Sequence, residues 1–204
     1  KFQSEVPILG CRGNHESSGT VFKKYYPYPY VSSFYFSFDY GPAHVTVIDQ
    51  YTSYSTGSTQ YNWIVNDLSN SGKKWKFVVL HEPGWTAGGG HSNNTSVQNY
   101  LQPLFKQYGV DIVFGGHNHY YARCVVEDIQ HLTTGGGGAP LYSPDTGSQY
   151  LVASSSTYHH CEIDIQGNQL SYVARNSSGS IIDTFTLTDN SDPQPPVAQF
   201  TGTP

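Results

Sequence analysis

Apolar residues along the middle of the chain switch between two spacings. Val45 to Asp49, Lys76 to Leu80 and Val110 to Phe114 are short β-rich runs, the length of buried strands. Between them the spacing turns helical. Tyr61, Ile64, Val65 and Leu68 fall on one face of a helix that Ser58 can cap and Gly72 can stop. Val97, Leu101, Leu104, Phe105 and Tyr108 fall on one face of a second, which Pro103 should kink. Strand, helix, strand, helix, strand implies an α/β layer. Upstream, Val6 to Leu9 reads as a short buried strand running into the turn Gly10-Cys11-Arg12-Gly13. Phe34 to Asp39 reads as a strand joined to the next through Tyr40-Gly41-Pro42-Ala43.

After His119 the helical period disappears. Tyr121 to Val126, Ile129 to Thr134, Tyr150 to Ser154, His160 to Ile165, Leu170 to Arg175 and Ile181 to Leu187 all read as strands, with Gly167-Asn168 as a hairpin turn. The last third is therefore mostly antiparallel sheet. From Asp189 the chain turns polar and proline-rich, through Asp192-Pro193-Gln194-Pro195-Pro196. We divide it into a domain over 1–188 and a linker over 189–204 whose final residues resemble the first strand of a PKD-like β-sandwich module.

Composition narrows the class. With a net charge of −5 and 12% charged residues, the chain lacks the basic face that nucleic-acid binding requires. No apolar run approaches the ~20 residues of a membrane span. Aromatic residues make up 15%, including 17 tyrosines, and offset a lean 37% hydrophobic content. Few lysines and many Ser, Thr, Gly, Asn and Tyr suggest a secreted or cell-surface protein. Cys11, Cys124 and Cys161 fit no zinc motif and leave open one disulfide or three thiols. Asn93, Asn94 and Asn176 head glycosylation sequons. The chain contains no methionine, so we expect residues upstream of Lys1.

The candidate chemistry lies in three clusters at predicted strand ends. They are Gly13-Asn14-His15-Glu16, Val78-Val79-Leu80-His81 and Gly116-His117-Asn118-His119. The carboxyl edge of an α/β sheet is where ligands bind. Imidazoles with an amide oxygen make a mixed nitrogen and oxygen donor set suited to zinc, iron and similar ions. His44 and His131 adjoin strand residues and read as structural, His159 and His160 lack any required role, and Glu82 stands beside His81 as either an orienting or a solvated group.

Taken in order, the three clusters resemble the second half of the calcineurin-like metallophosphoesterase signature, in its purple-acid-phosphatase branch. The resemblance extends to Ser58–Leu68 with Gln60 and Trp63, to Trp75, to Gly88–Ser92 around His91, to Tyr121 and Arg123, and to the glycine run 135–138, covering about residues 5–188. It implies an α/β/β/α sandwich of two mixed sheets with helices on the outer faces, lacking its N-terminal βαβ portion. It implies that Asn14, His81 and His117 bind one metal ion and that His119 binds another. His15 would then face the substrate phosphate, and His91 would hold the phosphate or protonate the leaving group. The implied cofactors are two divalent or di/trivalent ions (Fe, Zn or Mn). The implied reaction is attack of a metal-bound hydroxide on a phosphomonoester, or on a phosphodiester as a second class.

The family's two acidic motifs precede the Asn-His cluster, and only thirteen residues precede Asn14 here. Asp39-Tyr40-Gly41 is faintly like the first of them but falls after the cluster and reads as a turn. Two cations ~3.5–4 Å apart need shared anionic ligands. We therefore expect the acidic ligands in an upstream segment or in a further chain completing the domain, with a partial or empty site in residues 1–204 alone. The alternative reading is a non-catalytic extracellular structural or adhesion module that retains the fold. A single-metal binding domain is the third.

Overall fold

The computed structural model describes residues 7–28 and 32–189. Among these described residues ten strands form two sheets. The larger has seven strands: β1 (Phe36–Tyr40), β2 (Ala43–Val47), β3 (Trp75–Val79), β4 (Ile112–Gly115), β5 (Tyr121–Val126), β6 (Ile129–Thr134) and β7 (Leu151–Ser155), in the order β1-β2-β3-β4-β6-β5-β7. Its centre is parallel from β2 to β3 to β4 to β6, and its edges are antiparallel. The smaller sheet is a meander of β8 (His159–Gln166), β9 (Gln169–Asn176) and β10 (Ile181–Thr188). Gly167, at φ +62, makes the two-residue turn between β8 and β9 where the chain must enter the left-handed region.

Two helical segments connect the parallel strands. Helix α2 (Thr59–Asn70) starts at Ser58, whose Oγ accepts the Tyr61 N–H at 3.2 Å. The next segment begins as a π-turn over Val97–Leu101 and continues as α3 (Gln102–Gln107), with Pro103 in its first turn. The expected kink is this change of helical width. It lies just before the proline, which has no N–H to give a tighter helix.

Alternation along the central strands separates two cores. Val78 and Val113 face Ile64, Leu68, Leu101 and Phe105 on the helices. Trp75, Phe77 and Ile112 face Leu170, Tyr172 and Ala174 of the smaller sheet. The result is helix, sheet, sheet. This is the expected mixed α/β architecture, a seven-stranded mixed sheet with a second sheet packed on it, and among the described residues the second sheet is antiparallel with no helix on its outer face. Its outward positions, including His160, Glu162 and Asp164, are polar and exposed.

Two further local features differ from the sequence reading, and the cysteines resolve one of its open alternatives. Residues 7–9 are not a strand, and Val6 lies outside the described residues. Instead Tyr28 Oη donates to the Ile8 carbonyl and accepts the Gly10 N–H, giving this backbone side-chain partners. A six-residue helix, α1 (Thr20–Tyr25), forms where no apolar period announced one. All three cysteines are free, and burial pushes the Cys11 thiol up to about 12. The linker and the PKD-like segment expected over 189–204 lie, apart from Asp189, outside the described residues.

His44 and His131 are structural, by opposite means. His131 is buried with no hydrogen-bond partner and lies against Trp85, and desolvation pushes its pKa down to about 3. His44 sits between Asp67 (Nε2 to Oδ2, 3.0 Å) and Asp39 (Nδ1 to Oδ1, 2.8 Å), tying β1 and β2 to α2. The hydrogen bond to Asp67 is the main cause that raises the His44 pKa, and His44 holds both carboxyl groups below their usual range. A raised folded-state pKa gives stability that is full below the unfolded value near 6.5 and is lost as pH climbs through the folded value. The lowered carboxyl values lose theirs as pH falls below about 4. The melting-temperature gap between wild type and His44→Gln should therefore be wider at pH 5.5 than at pH 8.5, by about 2–4 °C for each kcal/mol involved at this chain length. Equal gaps at the two pH values would refute the assignment.

Candidate metal centre at the carboxyl edge of the sheet

Parallel pairing decides which turns become neighbours. Val47 pairs with Val79, and Val79 pairs with Phe114, so the chain leaves β2, β3 and β4 on one edge. His81 lies two residues beyond β3 and His117 two residues beyond β4, and the Gly116 N–H donates to the His81 carbonyl at 2.8 Å. The two imidazoles meet, with His117 Nδ1 3.2 Å from His81 Nε2. From the other side, the 3-10 turn Asn14–Glu16 brings Asn14 Oδ1 to 2.8 Å from the same His81 Nε2.

These three atoms do not satisfy one another well. A proton on His81 Nε2 serves Asn14 and removes the lone pair that a His117 N–H would need. If that proton is absent, Asn14 Oδ1 faces a lone pair. A cation accepts from all three at once. Both rings are kept neutral: burial is the largest cause lowering the pKa of each, and His117 falls to about 4 with His91 and His81 adding to it. Neutral imidazole is the ligating form. His117 also holds φ +63, a left-handed conformation that a β-carbon-bearing residue rarely adopts and that aims its ring back toward His81.

His119 and His91 flank this point. His119 Nδ1 lies 2.9 Å from the Pro140 carbonyl, which only accepts, so Nδ1 is the donor and Nε2 is the atom left to ligate. Its ring stacks on Tyr142, with centroids 4.3 Å apart. The ring does not join the three-atom convergence. The His91 ring stacks on His117, with centroids 3.7 Å apart. The long loop that carries it is held by buried Asn118, whose Oδ1 accepts the His91 N–H at 2.6 Å and whose Nδ2 donates to the His91 carbonyl at 3.1 Å. His15 is exposed beside Asn14, on the rim of a cavity of about 500 Å³. His159 turns away from the site to contact Thr134.

The acidic groups at this edge are engaged elsewhere. Glu16 accepts the Gly13 N–H at 2.7 Å. Glu82 accepts from Tyr51 Oη and Asn94 Nδ2. Asp49, fully buried beyond β2, is held in a two-pronged ion pair with Arg12 at 2.9 and 2.7 Å. Among the described residues no group of three or more His, Cys, Asp or Glu side chains is arranged to hold a metal ion. The convergence has two histidines, and its third member is an amide. Residues that motif reading passed over include Asn118, Gln50, Asp49 and Arg12. The one signal for Asn118 is its place inside the Gly116–His119 cluster.

Gly13 is required by close approach. A β-carbon there would lie 2.7 Å from His81 Nδ1 and 3.0 Å from Glu16 Oε2. Gly13→Ala should displace the His81 ring and weaken Zn2+ binding roughly 10–100-fold, the range for disturbed ligand support. Gly137→Ala, which meets nothing within 4 Å, should leave binding unchanged. Titration calorimetry on the full-length protein distinguishes the two, and equal affinities would contradict the placement.

The chain is similar to known proteins in sequence and in fold. Residues 1–121 match the family model for calcineurin-like phosphoesterases. The chain is 33% identical over 136 residues to purple acid phosphatase 23 of Arabidopsis thaliana, covering 59% of this chain and 30% of that protein. It is 28% identical over 189 residues to purple acid phosphatase 18 of the same plant, covering 78% and 43%. Among solved structures, a purple acid phosphatase from yellow lupin (Lupinus luteus) seeds superposes with a TM-score of 0.72 at 23% identity, over 81% of this chain and 36% of that one. The chain thus spans less than half the length of these relatives.

Proposed function

The chain belongs to the calcineurin-like phosphoesterase family, and from that membership we propose that the protein containing it hydrolyses phosphate monoesters with two bound metal ions. The observation that carries this reading is the meeting of Asn14 Oδ1 and His117 Nδ1 at His81 Nε2. Asn14, His81 and His117 would hold one ion, and His119, with Nδ1 as the donor, would offer Nε2 to the other. When bound, such ions polarise the phosphoryl group and lower the pKa of water.

None of these four donors is an anion, and Glu16, Glu82 and Asp49 are committed to other partners. We therefore assign the anionic ligands that two neighbouring cations need to groups other than these three carboxylates. His15 stands exposed beside Asn14 and would hydrogen-bond the phosphoryl oxygens. His91, fixed through its backbone by Asn118, would hand a proton to the departing alkoxide. Phosphodiesters are the second substrate class, and a secreted or cell-surface location is part of the proposal. Among the described residues no helix is long and apolar enough to cross a membrane.

The full-length protein should hydrolyse p-nitrophenyl phosphate and lose that activity on exhaustive chelation. A protein that carries no metal and turns over no phosphate ester would leave the non-catalytic module as the better reading. His91→Ala should cut turnover of an alkyl phosphate by roughly 10²-fold, the low end for a general acid. It should affect p-nitrophenyl phosphate far less, because p-nitrophenolate leaves without a proton. Equal losses on both esters would remove the acid role from His91.

A further inference from the structure

The segment just beyond β2 contains none of the residues that the motifs single out, yet it touches two of the three site turns. Asp49 takes both prongs of Arg12, two residues before Asn14. Its remaining acceptor capacity goes to the Tyr51 N–H at 3.2 Å and the Thr52 hydroxyl at 2.6 Å. Gln60 of α2 fixes the Asp49 backbone from behind, through the Asp49 N–H at 2.8 Å and the Asp49 carbonyl at 2.9 Å.

Gln50 faces the other turn. Its Oε1 accepts the backbone N–H groups of His81 at 2.9 Å and Glu82 at 2.5 Å, and its Nε2 donates to the Glu82 carbonyl at 2.9 Å. Tyr51 closes the arrangement. Its hydroxyl donates to Glu82 Oε1 at 3.0 Å, and its ring lies 5.4 Å from the Arg12 guanidinium, whose nearer aromatic neighbour is Phe34 at 4.1 Å.

We propose that Asp49-Gln50-Tyr51 is a positioning bracket that sets the separation of Asn14 from His81 and thereby the affinity of the metal position they share. The inference rests on the metal reading above. One strand end grips the root of the Asn14 turn with a buried ion pair and the root of the His81 turn with a side-chain amide. Neither turn can shift relative to the other without breaking charged or buried hydrogen bonds. Asp49 cannot also serve as a ligand, because both of its oxygens are occupied.

Gln50 is the residue to test, since removing Asp49 would strand a buried Arg12 and destabilise the fold. Zn2+ is titrated calorimetrically into full-length wild type, Gln50→Leu, Gln50→Glu, His81→Ala and the Gln50→Leu/His81→Ala double variant. Gln50→Leu should bind Zn2+ roughly 10–100-fold more weakly than wild type. Gln50→Glu keeps an acceptor for both N–H groups and should fall between them. In the His81→Ala background, Gln50→Leu should cost nothing further, since the ring it positions is gone. A Gln50→Leu affinity equal to wild type would overturn the proposal. So would an equal loss with and without His81, the signature of general loosening. A wild-type protein that takes up no Zn2+ would overturn the metal reading itself.

Discussion

Lone pairs repel when no proton or cation lies between them. Two imidazoles and an amide oxygen approach one another here to 2.8 and 3.2 Å, with burial and mutual proximity keeping the imidazoles neutral. The rest of the structure serves to hold that arrangement. Parallel pairing of β2, β3 and β4 sends three chain segments over one edge of the sheet at the ~4.8 Å spacing of neighbouring strands. Residues two positions past adjacent strand ends then meet without any long-range design. The two cores supply the rigidity. The helices bury one face of the central strands, the smaller sheet buries most of the other, and neither face can slip in register without turning apolar residues to water.

Much of this was legible from spacing. The strands β2 to β10 fall within two residues of the apolar runs, because each run is bounded by turn residues or by a change of period. Helix α2 shows its cap in Ser58 and its face in Ile64 and Leu68. Helix α1 was not legible. It is six residues long, with two lysines in its last turn, and its Phe22 ring packs on Phe34 and Tyr26, contacts that one-dimensional periodicity cannot show. Pro7 to Leu9 failed in the other direction. An apolar run becomes a strand only where a neighbour takes its hydrogen bonds, and here Tyr28 intervenes.

The candidate site divides in the same way. Asn14, His15, His81, His117 and His119 were nameable because their three clusters, in order, resemble the family signature, and His91 because its glycine-rich loop resembles the substrate-side loop. Their supports were not. Asn118 sits between two such histidines, yet its task is to fix the backbone of His91, 27 residues away. Gln50 and Asp49 act across 31 and 37 residues of sequence. Such contacts exist only once the sheet has brought the three strand ends together, and no local pattern marks them.

Anomalous X-ray diffraction from crystals of the full-length protein grown with Zn2+ tests the central claim most directly. The account predicts a zinc peak within about 2.0–2.2 Å of His81 Nε2, His117 Nδ1 and Asn14 Oδ1 together. A peak bound by other residues, with these three side chains directed apart, would contradict it.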